Sequence, residues 1–242
     1  MKMRTSSTAI NSIILLVLAY LQYVCANVEK VVFTSPSAEP LPRDASFDNL
    51  VLLSVSEKFP TVRTHLGASF PNTTSPKGTA HWFFLEGLRP HNRYEVRICW
   101  LATQPTSFSL RAFEVNVVFQ DPDLLQSLSE YSYSRHAKLS SADAELLQQH
   151  KATPDSDTTF VFLRVYAAAD YYSLDDSLMV NVPPVAVDII LDRYILDFFP
   201  RSLLSTGLYL MLVSVGAWFL SGWISRVCTA PLTRAEARKS PN

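Results

Sequence analysis

The feature that most constrains this chain is an uncharged apolar stretch at residues 202–225. As a helix it extends about 36 Å at roughly 1.5 Å per residue, which exceeds a bilayer hydrocarbon core of about 30 Å. Arginines flank it on both sides, and Trp218 and Trp223 have the positions of an interfacial aromatic belt. We therefore predict a transmembrane helix over residues 201–226, in preference to a buried helix of a soluble protein.

The N-terminus has the pattern of a secretory signal peptide. Two basic residues precede an apolar run at residues 13–24, and small residues follow it where signal peptidase cleaves. We predict that residues 1–26 are removed by cleavage between Ala26 and Asn27. An uncleaved signal anchor is the alternative, although the apolar run is short for a membrane span.

Cleavage and one later span predict a single-pass type I membrane protein, with residues 27–200 outside the cytosol and residues 227–242 as a basic cytosolic tail. Residues 27–200 contain 14 Lys and Arg against 21 Asp and Glu, a net charge of −7. From Arg226 onward, four basic residues and one acidic residue give a net charge of +3, in agreement with the positive-inside rule. The acidic ectodomain argues against nucleic acid as a partner.

The ectodomain has no pair of cysteines. Of the three cysteines, Cys25 leaves with the signal peptide, Cys228 lies at the cytosolic end of the span, and Cys99 remains. Secreted and cell-surface domains commonly carry disulfides, so the lack of a pair favours residence in the endoplasmic reticulum.

One sequon for N-glycosylation occurs in the chain. It begins at Asn72, in a loop rich in Pro and Ser. The secretory topology exposes such a loop to oligosaccharyl transfer, so we predict a glycan on Asn72.

The ectodomain pattern is mainly β. Residues 87–97 resemble the fibronectin type III pattern Gly-Leu-x-Pro-x-x-x-Tyr-x-Val-Arg, with Leu88, Pro90 and Tyr94 at matching positions. In such sandwiches the tyrosine hydroxyl bonds to the backbone just upstream, which is called a tyrosine corner. Independently of the resemblance, apolar and polar side chains alternate over residues 94–100, which predicts a strand with one buried face.

Other apolar runs predict strands before residue 118. They lie at residues 28–33, 50–55, 81–85 and 108–118. Residues 27–118 have about the length of one seven-stranded sandwich. We therefore predict a fibronectin type III-like β-sandwich over residues 27–118.

After residue 118 the apolar period changes from that of strands to that of helices. Asp121 and Pro122 suit the N-cap and first position of a helix, and a second helix is predicted from Ser140. Strands are predicted again at residues 158–168, 178–182 and 185–191. Residues 119–200 either extend the first sheet or form a second small β-domain, and periodicity does not distinguish these alternatives.

The residues give little indication of catalysis, a metal or another cofactor. Serine-hydrolase, zinc-protease and phosphate-binding motifs are missing, and the five histidines lack the spacing of metal ligands. Asp155 and Asp157 form an Asp-x-Asp sequence, with which a sugar-nucleotide transferase could bind a divalent cation. Its Thr, Pro and Ser neighbours favour a solvated turn, and Asp175–Asp176 favours a hairpin tip.

Small residues lie near one side of the predicted span. They allow another helix to approach closely, which predicts part of a partner contact inside the membrane. These residues are Gly207, Ser214, Ala217, Ser221 and Ser225. A span whose small residues make no such contact is an equal alternative.

Residues 27–33, just after the cleavage site, and residues 93–100 with 102–106 resemble the fungal GPI-mannosyltransferase II co-activator family. Patches at residues 70–71 and 77–79 are similar too. The resemblance implies a noncatalytic subunit of the endoplasmic reticulum membrane with a lumenal ectodomain. Its implied partner is the multi-spanning catalytic subunit that adds the second mannose to GPI precursors.

Two other classes of function stay open. The first is a type I membrane binding module, an adhesion or cargo receptor, which would stain the cell surface. The second is an enzyme in its own right, which is disfavoured because the resemblance implies multi-spanning catalytic subunits and this chain has one predicted span. Arg238 and Lys239 in the tail do not fit dilysine retrieval spacing, so retention would come from the partner.

Overall fold

The computed structural model describes residues 27–37, 48–138, 145, 147 and 159–237, with side chains of the last helix described as far as residue 227. The predicted signal peptide, almost all of the helix predicted from Ser140, and the Asp155–Asp157 turn lie outside the described residues. The protein is mainly β, as predicted, with two sheets and a long apolar helix after them.

Nine strands and four helices make up the described fold. The strands are β1 Val28–Thr34, β2 Leu53–Ser56, β3 Thr61–Leu66, β4 Thr79–Leu88, β5 Arg93–Trp100, β6 Thr106–Glu114, β7 Thr159–Ala169, β8 Val185–Ile195 and β9 Phe199–Pro200. The helices are α1 Val115–Gln120, α2 Pro122–Lys138, α3 Asp176–Val180 and α4 Leu204–Ala237. Short 3-10 turns span Asp48–Leu50 and Arg201–Leu203.

The strands form two sheets that face each other. The first sheet has the order β1-β5-β8-β3 with antiparallel neighbours, and β9 adds a short pairing to β8. The second sheet has the order β2-β4-β7-β6, in which β2 and β4 are parallel and the other pairs are antiparallel. Every strand is therefore paired within one of two layers.

The hydrophobic core lies between these two layers. The alternation predicted for residues 94–100 places Tyr94, Val96 and Ile98 inward, and all three are fully buried. Ile98 lies opposite Ile189 of β8, which is also fully buried. Residues of both sheets share this core, and burying one such side chain contributes about 1.5–3 kcal/mol, so the shared core holds the two layers together.

The strands after residue 118 pair with strands from before it in both sheets. β7 lies between β4 and β6 in the second sheet, and β8 lies between β5 and β3 in the first. Residues 27–118 contribute six strands, and each sheet takes one further, central strand from after residue 118.

The strand predicted over residues 108–118 ends early. β6 stops at Glu114, which lies opposite Val161 near the start of β7, and α1 follows. Few positions of β7 remain for pairing beyond that point, whereas a helical turn buries Val118 completely against the outer side of the second sheet. Tertiary packing therefore outweighs the β propensity of this valine-rich run.

The strand predicted over residues 178–182 is also wrong. That segment begins with α3, and the predicted hairpin tip at Asp175 is its N-cap. The Asp175 carboxylate accepts hydrogen bonds from Ser177 N at 2.9 Å and Ser177 Oγ at 2.7 Å. This capping favours a helical turn over an extended run.

The predicted start of α2 is confirmed. Asp121 Oδ1 accepts hydrogen bonds from the backbone N–H of Asp123 at 2.9 Å and of Leu124 at 3.3 Å, and Pro122 is the first helical residue. Leu128 of this helix packs with Trp82 and other aromatic side chains on the outer face of the second sheet. The second sheet is therefore covered on both faces.

Candidate partner-binding site: the apolar helix and its junction with the sandwich

α4 presents an apolar surface that the protein itself does not cover. Residues Arg201–Val227 are long and apolar enough to cross a membrane, and the most apolar part of this span is not buried inside the protein. At about 1.5 Å per residue this span extends roughly 40 Å, compared with about 30 Å for a hydrocarbon core. Trp218 and Trp223 are 74% and 63% exposed. Such a surface needs lipid or another apolar helix around it.

The small residues predicted as a membrane interface do not all have the same surroundings. Gly207 is half-buried, and a Cβ added there would lie 3.4 Å from the Phe199 ring of β9. Ser214 is exposed, and its Oγ donates to the Leu210 carbonyl at 2.7 Å within the helix. The rest of the set is exposed: Ala217, Ser221 and Ser225. Gly207 thus joins the helix to the sandwich, whereas the others face outward.

A buried carboxylate fixes the start of the helix to the first sheet. Asp192 of β8 is only 7% exposed, and its oxygens accept hydrogen bonds from Ser202 N at 3.3 and 3.2 Å and from Ser202 Oγ. Arg97 of β5 donates to Ser202 Oγ at 3.2 Å and lies 3.9 Å from the Asp192 carboxylate. Two central strands therefore hold the turn from which α4 begins.

A second polar cluster lies beside this junction. Glu95 is 3% exposed, and its Oε2 accepts hydrogen bonds from Lys30 Nζ at 3.2 Å and the Tyr194 hydroxyl at 2.8 Å. Burial is the larger cause and the hydrogen bond to Glu95 the next that raise the pKa of Tyr194. The hydroxyl therefore keeps its proton and acts as the donor. The Arg93 guanidinium lies over the Tyr194 ring, 5.2 Å from its centroid. We call the outer face of the first sheet around these residues the polar face.

The predicted corner residues lie at the end of the sandwich near α4. Tyr94 is fully buried, its hydroxyl oxygen accepts a hydrogen bond from Arg89 N at 2.9 Å, and its proton is donated to Glu57. Burial and then the hydrogen bond to Glu57 raise the pKa of Tyr94 above its ordinary range. Leu88 is fully buried and Pro90 is half-buried.

An open cleft of about 930 Å³ lies on the other sheet, at the end of the sandwich away from α4. Lys77, Arg135 and Arg164 line it together with Glu130, so positive charge predominates. Its His81 Nε2 is 2.8 Å from the Gly67 carbonyl, and burial, with the nearby Arg135 charge, lowers the pKa of His81. The cleft offers donors and aromatic faces to a polar ligand.

The sequon lies at the rim of that cleft. Asn72 is exposed, and its Oδ1 accepts hydrogen bonds from Thr74 N at 3.0 Å, Thr74 Oγ1 at 2.8 Å and Ser75 N at 2.6 Å. The side chain therefore forms a local turn on the surface.

Within the part of the chain that the structure describes, no three His, Cys, Asp or Glu side chains come together as metal ligands. The Asp155–Asp157 pair is outside that part.

The GPI-mannosyltransferase II co-activator family model matches residues 17–220 of the 242-residue chain. The chain belongs to this family. The match confirms the resemblance that its sequence indicated. No characterised protein and no solved structure gives a significant match.

Membership in the co-activator family places the chain in GPI-anchor biosynthesis at the endoplasmic reticulum membrane. A co-activator implies a partner, which here is the mannosyltransferase II catalytic subunit. The exposed candidate span is consistent with that location.

Sequence reasoning missed the junction residues of this co-activator. Asp192 and Ser202 are ordinary polar residues in sequence, and Arg97 lies 105 positions before Ser202. The available signal was the charge at alternate positions of β5 and β8, where Glu95 and Asp192 face away from the core. That signal becomes informative only once the two strands are known to pair.

Proposed function

We propose that this chain is a noncatalytic subunit of a multi-spanning mannosyltransferase that adds the second mannose to GPI precursors. The observation that carries the proposal is the family match across most of the chain. Its exposed apolar span, tied to a β-sandwich by Asp192 and Ser202, supports a role that combines membrane anchoring with binding.

In this proposal the chain is a type I protein with a lumenal sandwich. Residues 1–26 are removed as a signal peptide, residues 227–242 face the cytosol, and Asn72 carries a glycan. The charge difference across the span supports the orientation. The exposed Asn72 side chain supports access to the transferase.

The topology has two direct tests. Endoglycosidase should shift the wild-type band and leave Asn72→Gln unshifted, and protease added to sealed microsomes should remove a C-terminal tag. An unshifted wild-type band would remove the glycan, and a protected tag would reverse the orientation.

We propose that the sandwich is fibronectin type III-like around Tyr94. The Tyr94 hydroxyl bonded to the backbone at Arg89 supports this class. The parallel pairing of β2 with β4 is a departure from the antiparallel sheets of that class. An experimental structure of the full chain would decide it by the strand order.

The functional contact is proposed to involve both α4 and the polar face. Ala217, Ser221 and Ser225 offer close approach inside the membrane, and the polar face offers charged side chains just above it. Arg97 and Asp192 connect these two surfaces through Ser202. A partner bound to one surface is therefore in reach of the other.

Depletion of the chain tests the function. GPI precursors should accumulate with one mannose, and the full chain should restore the normal profile. The double variant Asp155→Ala with Asp157→Ala should restore it equally well, because we assign no chemistry to those aspartates. An unchanged profile after depletion would contradict the proposal, and failure of a well-expressed double variant would favour catalysis by this chain.

The same cells distinguish the binding-module alternative. A co-activator stains the reticular network with its catalytic subunit, whereas an adhesion or cargo receptor reaches the surface or travels beyond the endoplasmic reticulum. Surface staining with a normal precursor profile would favour the receptor.

A further inference from the structure

The turn between β8 and β9 exposes two large apolar side chains. Leu196 is 93% exposed and Phe198 is 83% exposed, on either side of Asp197. Phe198 N donates to the Ile195 carbonyl at 3.3 Å, which closes the turn. In water these side chains leave large apolar surfaces exposed, and removing such surface from water is favourable.

The backbone of this turn is unusual as well. Leu196 and Asp197 have φ values of 56° and 57°, in the left-handed region that turns of this kind reserve for Asn, Asp and Gly. A leucine at positive φ is an uncommon choice, since its side chain crowds the backbone. The turn therefore combines an unfavourable backbone conformation with an exposed apolar side chain. If the turn lay fully in water, no favourable interaction would offset either of these costs.

The β8–β9 turn lies at the end of the sandwich toward which α4 runs. Ser202, before the start of α4, bonds to Asp192 of β8, and five residues later Gly207 lies against Phe199. Phe199 pairs with Ile195, which is further along β8 than Asp192. The helix consequently advances in the same direction as the end of β8, and the turn lies one step beyond Phe199 in that direction.

The level of the turn in a bilayer follows from the length of the span. A span of roughly 40 Å exceeds the hydrocarbon core by about 10 Å, so about 5 Å at each end lies among headgroups when it is centred. Gly207 is six residues, about 9 Å, beyond Arg201. Phe199 beside it therefore lies about 4 Å from the boundary between headgroups and hydrocarbon, on the hydrocarbon side, and the turn, one step further, lies on that side too.

Polar groups around the turn suit the headgroup side of this boundary. Arg93 Nη1 donates to the Asp197 carbonyl at 3.2 Å and its guanidinium lies over the Tyr194 ring. Arg and Tyr are residues whose apolar parts and polar ends suit the interface. The Asp197 carboxylate opposes deeper entry, because a charge is expensive in hydrocarbon.

We propose that the β8–β9 turn contacts the bilayer that α4 spans, with Leu196 and Phe198 in the boundary between headgroups and acyl chains. The ligand is the lipid surface itself. Together with α4 the turn gives the sandwich a second point of attachment, which restricts its tilt and holds the polar face at a constant height. The proposal rests on α4 crossing a membrane and is independent of the co-activator function.

Spin labels on the full-length chain in phosphatidylcholine liposomes test this proposal. Leu196→Cys and Phe198→Cys are labelled in a background without other cysteines, and each nitroxide is measured for collisions with oxygen and with a water-soluble nickel chelate. The matched control is Leu174→Cys, because Leu174 is 92% exposed at the other end of β8, about 30 Å away at 3.3 Å per residue.

We expect an oxygen-to-nickel accessibility ratio severalfold higher at 196 and 198 than at 174. Ratios equal to that of 174 would place the turn in water and overturn the proposal. Protection from both reagents would mean that protein covers the turn, which also overturns it. Position 198 keeps the test valid if a label at 196 disturbs the positive-φ turn.

Discussion

The outer faces of the two sheets differ, although both are built from strands with alternating side chains. On the second sheet the outward residues are aromatic, and α1 and α2 bury them, with Trp82 fully inaccessible. On the first sheet the outward residues form the polar face, where Lys30 and Arg63 side chains are 60% and 80% exposed. Helices of the same chain cover the outer face of the second sheet, whereas the outer face of the first sheet is exposed to solvent.

The difference shows how the fold separates stability from interaction. The covered face contains a cation stacked among rings, since the Arg164 guanidinium is 5.0 Å from the Phe113 centroid and 4.9 Å from that of Tyr166. The polar face leads through Asp192 to the start of α4. Substitutions on the covered face should therefore change folding, and substitutions of the polar-face residues that hold the start of α4 should change binding.

The largest effect is expected on the covered face. Trp82→Ala removes a buried ring and its hydrogen bond to Ser127 Oγ at 3.2 Å, and should lower the free energy of unfolding by about 3–5 kcal/mol. Val32→Ala on the first sheet, 36% exposed in the wild type, is the control and should change it much less. Thermal unfolding of the full chain in detergent measures both. Equal melting temperatures would remove the distinction between the faces.

On the polar face, Asp192→Ala should cost about 1–3 kcal/mol because it removes the buried, charged acceptor of the Ser202 hydrogen bonds. It should also reduce recovery of the catalytic subunit, since the start of α4 is released. The control is Asp188→Ala on the same strand and face, whose partner Arg63 is exposed. Identical recovery for both variants would show that the junction does not matter for binding.

Tyr94 lies in the core between the two sheets. Tyr94→Phe should lower the free energy of unfolding by about 1–3 kcal/mol because it removes a buried hydroxyl. The folded pKa of Tyr94 is raised, so its contribution is complete below the unfolded value of about 10 and is lost as pH rises through the folded pKa. The difference between wild type and Tyr94→Phe should therefore shrink above about pH 10. Denaturant titrations at increasing pH measure this, and a constant difference would contradict it.

The smallest effect on folding is expected in the span. Ala217→Leu with Ser221→Leu should weaken recovery of the catalytic subunit while leaving the melting temperature of the sandwich unchanged, because both side chains face outward. Gly216→Leu enlarges the opposite side of the helix, where no heavy atom lies within 4 Å of an added Cβ. Equal recovery from both variants would locate the interface on the sandwich alone.

Local patterns were sufficient for much of the fold. Alternation predicted β5, Asp121 predicted the start of α2, and the uncharged run predicted α4. The central positions of β7 and β8 could not be predicted, because pairing between distant strands leaves no periodic signal. The ends of β6 and the helical α3 depend on packing and capping, which outweigh the propensities of single residues.

The candidate site was predictable to a smaller degree. The apolar span was recognisable from composition, but the bonds among Arg97, Asp192 and Ser202 join three separate elements. The role of Gly207 also changed, since a small residue predicted to face a partner lies against Phe199 of the same chain. Small residues in a span mark a close approach without identifying which surface approaches.

We infer that this co-activator works while bound to the catalytic subunit. Affinity purification of the full chain from endoplasmic reticulum membranes in mild detergent tests it most directly, with Asp188→Ala and Asp192→Ala purified in parallel. We predict that the mannosyltransferase II catalytic subunit is recovered with wild type and Asp188→Ala and is reduced with Asp192→Ala. Full recovery of intact wild-type chain without the catalytic subunit would contradict the claim.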